Sequence, residues 1–205
     1  MTVLALENSR LRLEVAPEAG ASIVSFSALR DGTARPILRP TPADAIAANN
    51  SSAMSCFALV PYSNRLRDAR FDFRGRTFVL RANTADGHAI HGDVRKRPWR
   101  LVEETATRLA FAFDSRDFGD VNFPFAFTSS LAYELAGDTL ALSLSVTDAD
   151  ASAMPAGLGF HPYFRRALDR ADDGVELRFA ASGIRLNLPE LIQPMNIMAH
   201  AMTEP

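Results

Sequence analysis

Leu11-Arg12-Leu13-Glu14-Val15 alternates apolar and charged side chains one residue at a time. Successive side chains of an extended chain point to opposite faces, so a period of two describes a strand with one face buried and the other in water. The alternation reaches back to Leu4, and residues 4–15 are expected to form the opening strand. Pro17-Glu18-Ala19-Gly20 is built of turn formers, and residues 21–29 resume as a second strand that ends at Asp31-Gly32. Two such runs joined by a short turn predict a hairpin and therefore antiparallel pairing.

The same pattern recurs along the chain. Residues 34–50, with three prolines and many small side chains, read as a loop. Residues 49–54 are expected to cap a short helical turn ahead of Cys56-Phe57-Ala58-Leu59-Val60. Arg70-Phe71-Asp72-Phe73 and Thr77-Phe78-Val79-Leu80 form a strand pair about Arg74-Gly75-Arg76. Further strands are expected over residues 98–102, 108–113, 125–128, 129–134, 139–146 and 175–179, whereas residues 189–205 show no strand period. No long helical period, repeat or composition shift interrupts the series. The expected fold is all-β, an antiparallel β-sandwich in one domain spanning residues 1–205.

Composition narrows the function. A formal charge of −2 over 205 residues gives no electrostatic drive towards nucleic acid or an anionic membrane. The lone Cys56 cannot close an internal disulfide, and residues 1–8 have neither a basic start nor a long apolar run, so a cytoplasmic protein is expected.

The chemistry must come from few groups: His88, His91, His161, Arg65 and scattered carboxylates. Histidine exchanges protons near neutral pH, so histidines converging on one pocket suit acid/base work. The plainer reading of any one of them is a partly buried ring bonded to a carbonyl. His88-x-x-His91 supplies only two ligands for zinc, and no HExxH pair or CxxC is present, so no metal is expected. Cys56 lies in an apolar run typical of an inert thiol, no Gly-x-Ser-x-Gly elbow exists, and Gly157-x-Gly159 is followed by no helix period. Arg95-Lys96-Arg97 and most of Arg65, Arg67 and Arg70 read as solvated surface, with Arg65, after Asn64, as the exception.

Three ordered motifs give these residues a context. Asn64-Arg65-Leu66-Arg67-Asp68-Ala69-Arg70-Phe71, then Asn83 and Ala89-Ile90-His91-Gly92 ahead of Trp99, then Gly159-Phe160-His161-Pro162-Tyr163-Phe164 resemble the signatures of the aldose 1-epimerases, or galactose mutarotases. The resemblance covers residues 62–164. It implies a galactose mutarotase-like antiparallel β-sandwich, a free aldohexose as substrate, interconversion of its α and β anomers, and no cofactor. It also implies His161 as the acid that protonates the ring oxygen and His91 as the second catalytic histidine near that oxygen. Arg65, with Asn64 beside it, is implied as substrate-binding.

The resemblance also implies a carboxylate base far beyond the His161 motif. The tail here, with Glu190 and Glu204, does not match that region, so the base is assigned to no residue and a shortened chain is expected. Two alternatives stay open: a non-catalytic carbohydrate-binding module, and an epimerase of a hexose phosphate, for which Arg67 or Arg95 would serve. A shortened sandwich would expose a face, which makes a homodimer plausible.

Overall fold

The structure, a computed structural model, describes residues 2–168 together with Val175, Glu176 and Arg178. Its first sheet contains β1 (Leu4–Glu7), β2 (Leu11–Ala16), β3 (Ser22–Arg30), β4 (Thr33–Pro36), β5 (Cys56–Leu59) and β14 (Gly159–Pro162). The order is β1-β2-β3-β5-β14, with β4 also on β3. The second sheet runs β10 (Arg100–Glu104), β11 (Arg108–Asp114), β12 (Phe127–Ala136), β13 (Thr139–Asp148), each strand beside its neighbour in sequence. Two small ribbons complete the strands: β6 (Arg65–Leu66) with β9 (Ala89–Ile90), and β7 (Arg70–Phe73) with β8 (Arg76–Val79). Every pairing between these strands is antiparallel.

The alternation that announces β2 does what its period requires. Leu11, Leu13 and Val15 are buried while Arg12 and Glu14 lie on the other face, joined by an ion pair of 2.8 Å. The inward residues of both sheets meet in one apolar core, in which Leu13, Val15 and Ile23 pack with Phe111, Phe127 and Leu131. The buried Tyr133 hydroxyl donates to the Ala21 carbonyl at 2.7 Å, a polar tie across that core. The all-β sandwich is thus the observed architecture.

Several boundaries differ from expectation, each for a local reason. Residues 4–15 form two strands, because the Asn8 side-chain oxygen accepts from the backbone N–H groups of Arg10 and Leu11, both at 2.8 Å, and folds the chain back. Residues 34–50 hold β4 and the short α1 (Ala43–Ala47), not loop alone. The helical turn expected over residues 49–54 is a 3-10 turn at Ser51–Ala53. Residues 125–134 do not form two strands: β12 continues without a break from Phe127 to Ala136. Of the strand expected over residues 175–179 only Val175, Glu176 and Arg178 are described, and residues 189–205 lie outside the described residues. Among the described residues, no helix is long and apolar enough to cross a membrane.

One strand positions the chemistry. The apolar run of β5 has no polar face because both faces are covered. Cys56 and Ala58 point into the main core, whereas Phe57 and Leu59 join a second cluster with Ala16, Ala19, Val24 and Met54. Tyr163 packs at the margin of that second cluster.

Candidate active site

His161 lies on β14, and its register on β5 places it directly opposite Phe57. Opposed residues of an antiparallel pair share a face, so their rings stack, 4.9 Å between centroids at 20°. Tyr163, two residues on, returns to the same face and packs against the His161 ring at 4.7 Å. The imidazole is thus flanked by two aromatic rings that also approach each other, 6.4 Å between centroids, and Arg39 lies over Tyr163 at 3.9 Å.

His91 arrives from a different element. It follows β9 with φ of +65°, in the left-handed region, and Gly92 continues there at +66°. The His91 N–H donates to the Asn64 carbonyl at 2.9 Å, and the Asp93 N–H donates to the Val60 carbonyl at 2.8 Å. A Cβ on Gly92 would stand 1.9 Å from the Val60 oxygen, so only glycine lets the two backbones come this close. Asn83 secures the approach from behind, accepting from the Ile90 N–H at 2.8 Å and donating to its carbonyl at 3.1 Å. The result is an edge-to-face meeting of His91 and His161, 5.2 Å between ring centroids.

The electrostatics of the pair is set by burial and by cations. Burial, then Arg95, His161 and Arg65, push His91 down to about 3. His161 is pushed down as well, chiefly by burial, with Arg95 and Arg39 adding to it. Both imidazoles are therefore neutral at pH 7. The Nδ1 of His91 is buried with no hydrogen-bond partner among the described residues, an atom whose desolvation is uncompensated in this state.

The other sequence candidates divide. Arg65 acts on the charge of His91, and its guanidinium is oriented by Asp86 at 2.6 Å. Asn64, with φ of +57°, supplies the carbonyl that receives His91. His88 is not brought to the pair as a third ring: its Nδ1 accepts from the Asp68 N–H at 2.9 Å. Cys56 faces the core, and burial pushes its thiol up to about 12, which makes it unreactive. Among the described residues no three His, Cys, Asp or Glu side chains converge in a way that could hold a metal ion. A hollow of about 400 Å³ between Arg100, Asp114, Phe118 and Ser130 lies on the second sheet, and no histidine lines it.

The reading of Arg95-Lys96-Arg97 as solvated surface is corrected. Lys96 is exposed, but Arg95 is only 8% exposed, and Arg97 is held by Asp93 at 3.3 Å and Asp120 at 2.6 Å. Asp93 itself accepts from the Asn122 and Phe123 N–H groups, so its carboxylate fastens two loops. Phe57 was not among the sequence candidates either. Its ring touches His161, His91 and Tyr163 and underlies Arg95 at 5.7 Å. Nothing in an apolar run singles out Phe57; only the register of β14 does.

Comparison with known proteins shows the family of the chain. Residues 2–191 match the profile of the family described as aldose 1-epimerase. The uncharacterised Escherichia coli K12 protein YphB is 35% identical over 165 residues, 80% of this chain and 52% of YphB. An aldose 1-epimerase of the same organism is 27% identical over 114 residues, 54% of this chain and 32% of that protein. A solved structure of a candidate aldose 1-epimerase from E. coli K12 superposes with a TM-score of 0.68 at 34% identity, covering 80% of this chain and 52% of that one. The chain spans about half the length, or less, of the curated relatives it matches.

Proposed function

Since the chain belongs to the aldose 1-epimerase family, we propose that its histidine pair takes part in interconverting the α and β anomers of an aldose. The observation that carries this reading is the convergence of His91 and His161, from separate elements, on one cation-rich spot. Ring opening removes the proton of the anomeric hydroxyl, forms the C1 carbonyl and breaks the bond from C1 to the ring oxygen. That oxygen gains a proton. Rotation about the bond between C1 and C2, followed by reversal of these steps, gives the other anomer, with no net change in atoms or electrons.

His161 is the acid in this scheme. Depression of its pKa makes the protonated ring a stronger acid, at the expense of the fraction protonated at pH 7. His91, neutral and with Nδ1 unpaired, suits a hydrogen-bonding role towards the sugar. Arg65, directed by Asp86, and the neighbouring Asn64 are read as substrate-binding. The charges acting on the two histidines are Arg39, Arg65, Arg95 and the other ring, with no carboxylate among them, so the base is assigned to no described residue.

That last observation favours a second reading, sugar binding without catalysis. Polarimetry of freshly dissolved α-glucose and α-galactose separates the two. Acceleration proportional to protein concentration supports the epimerase. A folded sample that binds sugar saturably yet leaves the rate at that of buffer supports the binding module, and one that does neither overturns both.

A further inference from the structure

We propose that His88 is a positioning residue: its ring, fixed by the turn after β6, holds Asp86 where that carboxylate aims the Arg65 guanidinium at the sugar. This rests on the reading of Arg65 as substrate-binding and deepens it by naming what orients the arginine.

Of the three described histidines, His88 alone has no part in the reaction read above. It immediately precedes β9, whose register on β6 pairs Ala89 with Leu66 and Ile90 with Arg65. His88 therefore enters the ribbon beside the turn that follows Leu66. There Asp68 and Ala69 take φ of +53° and +51°, in the left-handed region that costs alanine more than aspartate. The turn is tied at two points: the Asp68 N–H donates to Nδ1 of His88 at 2.9 Å, and the Leu80 N–H donates to the Ala69 carbonyl at 2.7 Å.

The bond from Asp68 fixes the tautomer. A neutral imidazole has one acceptor and one donor nitrogen, so a ring that accepts at Nδ1 carries its hydrogen on Nε2. Nε2 lies 3.8 Å from Oδ2 of Asp86, the same oxygen that receives Nη1 of Arg65 at 2.6 Å. That separation is longer than a hydrogen bond, so the contact is electrostatic, an N–H dipole and a guanidinium sharing one carboxylate oxygen. The backbone keeps the two side chains together. The His88 N–H donates to the Thr84 hydroxyl, which donates to the His88 carbonyl, both at 2.9 Å, and the Gly87 N–H donates to the Thr84 carbonyl at 3.2 Å. Asp86 thus sits on a loop closed by His88 itself. The Asp86 side chain is 55% exposed and that of His88 only 17%. An exposed carboxylate holds an arginine weakly, and the half-buried ring beside it supplies the fixed reference that solvent does not.

If only the bond from Asp68 mattered, His88 would be a staple for the turn and nothing more. Two substitutions separate the roles. His88→Asn keeps an acceptor at the place of Nδ1 and has nothing at the place of Nε2, whereas His88→Gln reaches the place of Nε2 and has no acceptor at that of Nδ1.

Dissociation constants for glucose and galactose, measured with melting temperatures on the full chain, test the proposal. His88→Asn is expected to melt near wild type yet bind sugar about 2–5-fold more weakly. His88→Gln should show the reverse, a lower melting temperature with a smaller loss of affinity. Made in an Asp86→Asn background, His88→Asn should weaken binding no further, because its effect passes through that carboxylate. The ¹⁵N shifts of the His88 ring in the wild-type chain should report the hydrogen on Nε2, and they carry the test if neither variant folds. Unchanged affinity in His88→Asn, a full further loss in the Asp86→Asn background, or a hydrogen on Nδ1 overturns the proposal. Arg65→Gln tests the premise separately. If it binds weakly while His88→Asn binds as wild type, the role of His88 alone falls; if it binds as wild type, or if the wild-type chain binds neither sugar, the reading of Arg65 falls as well. The expected loss in His88→Asn without any anomer exchange supports the positioning role and sinks the epimerase reading alone.

Discussion

The rings of His91 and His161 meet edge to face, with 5.2 Å between centroids and 82° between planes. One ring is delivered by a left-handed loop residue and the other by a strand, and each is fixed by backbone it does not belong to. A hydrogen-bonded sugar oxygen could be shared by such a pair, and four consequences can be measured.

Replacing His161 by Asn keeps a hydrogen-bonding side chain but removes the titrating ring. Anomer exchange should fall by about 10²–10⁴-fold, while saturable sugar binding persists. Exchange spectroscopy on labelled glucose reads both; an undiminished rate ends the assignment of His161 as the acid.

Acid should destabilise the fold through His91. Its folded pKa, about 3, lies below the ordinary value of 6.5, so between these values the unfolded chain binds the additional proton. The associated stability is complete above about pH 6.5 and is lost as pH falls towards 3, amounting to a few kcal/mol, on the order of 3–5. His161 contributes in the same direction. Urea unfolding at pH 7.5 and 4.5 measures the loss. His91→Asn, which tolerates the positive φ and carries no titrating ring, should flatten the dependence.

Gly92→Ala meets both a positive φ and the Val60 oxygen at 1.9 Å. The expected destabilisation is about 3–5 kcal/mol, with loss of exchange because His91 is displaced. Gly32→Ala supplies the comparison: its φ is +70° but nothing lies within 4 Å, so about 1 kcal/mol is expected. Thermal melts that rank the two variants equally would remove the argument from close approach.

Asp86→Asn should act on binding and leave the fold alone. The carboxylate is exposed, and its described role is to orient Arg65. The KM for the aldose should rise several-fold while kcat and the melting temperature stay near wild type. A fall in kcat with KM unchanged would contradict a binding role for Arg65.

Much of this protein was legible in one dimension. The alternation of Leu11, Leu13 and Val15 against Arg12 and Glu14 is a local property, and it specifies a half-buried strand wherever the chain goes. The three ordered motifs likewise indicated the family and isolated His91 and His161 from four histidines. Asn8 shows the limit of a period: the apolar pattern runs across it, and only its side-chain bonds to Arg10 and Leu11 reveal the turn.

Tertiary structure alone decided which side chains share an environment. Phe57 becomes the floor of the site because β14 pairs with β5 in the register that sets His161 opposite it; a shift of one residue would have put Cys56 or Ala58 there. Arg95, in a run of three basic residues that reads as surface, is buried because Gly20 and Gly92 let the loop that carries it approach closely. Charge is written in the sequence, but desolvation arises only when distant segments close around it.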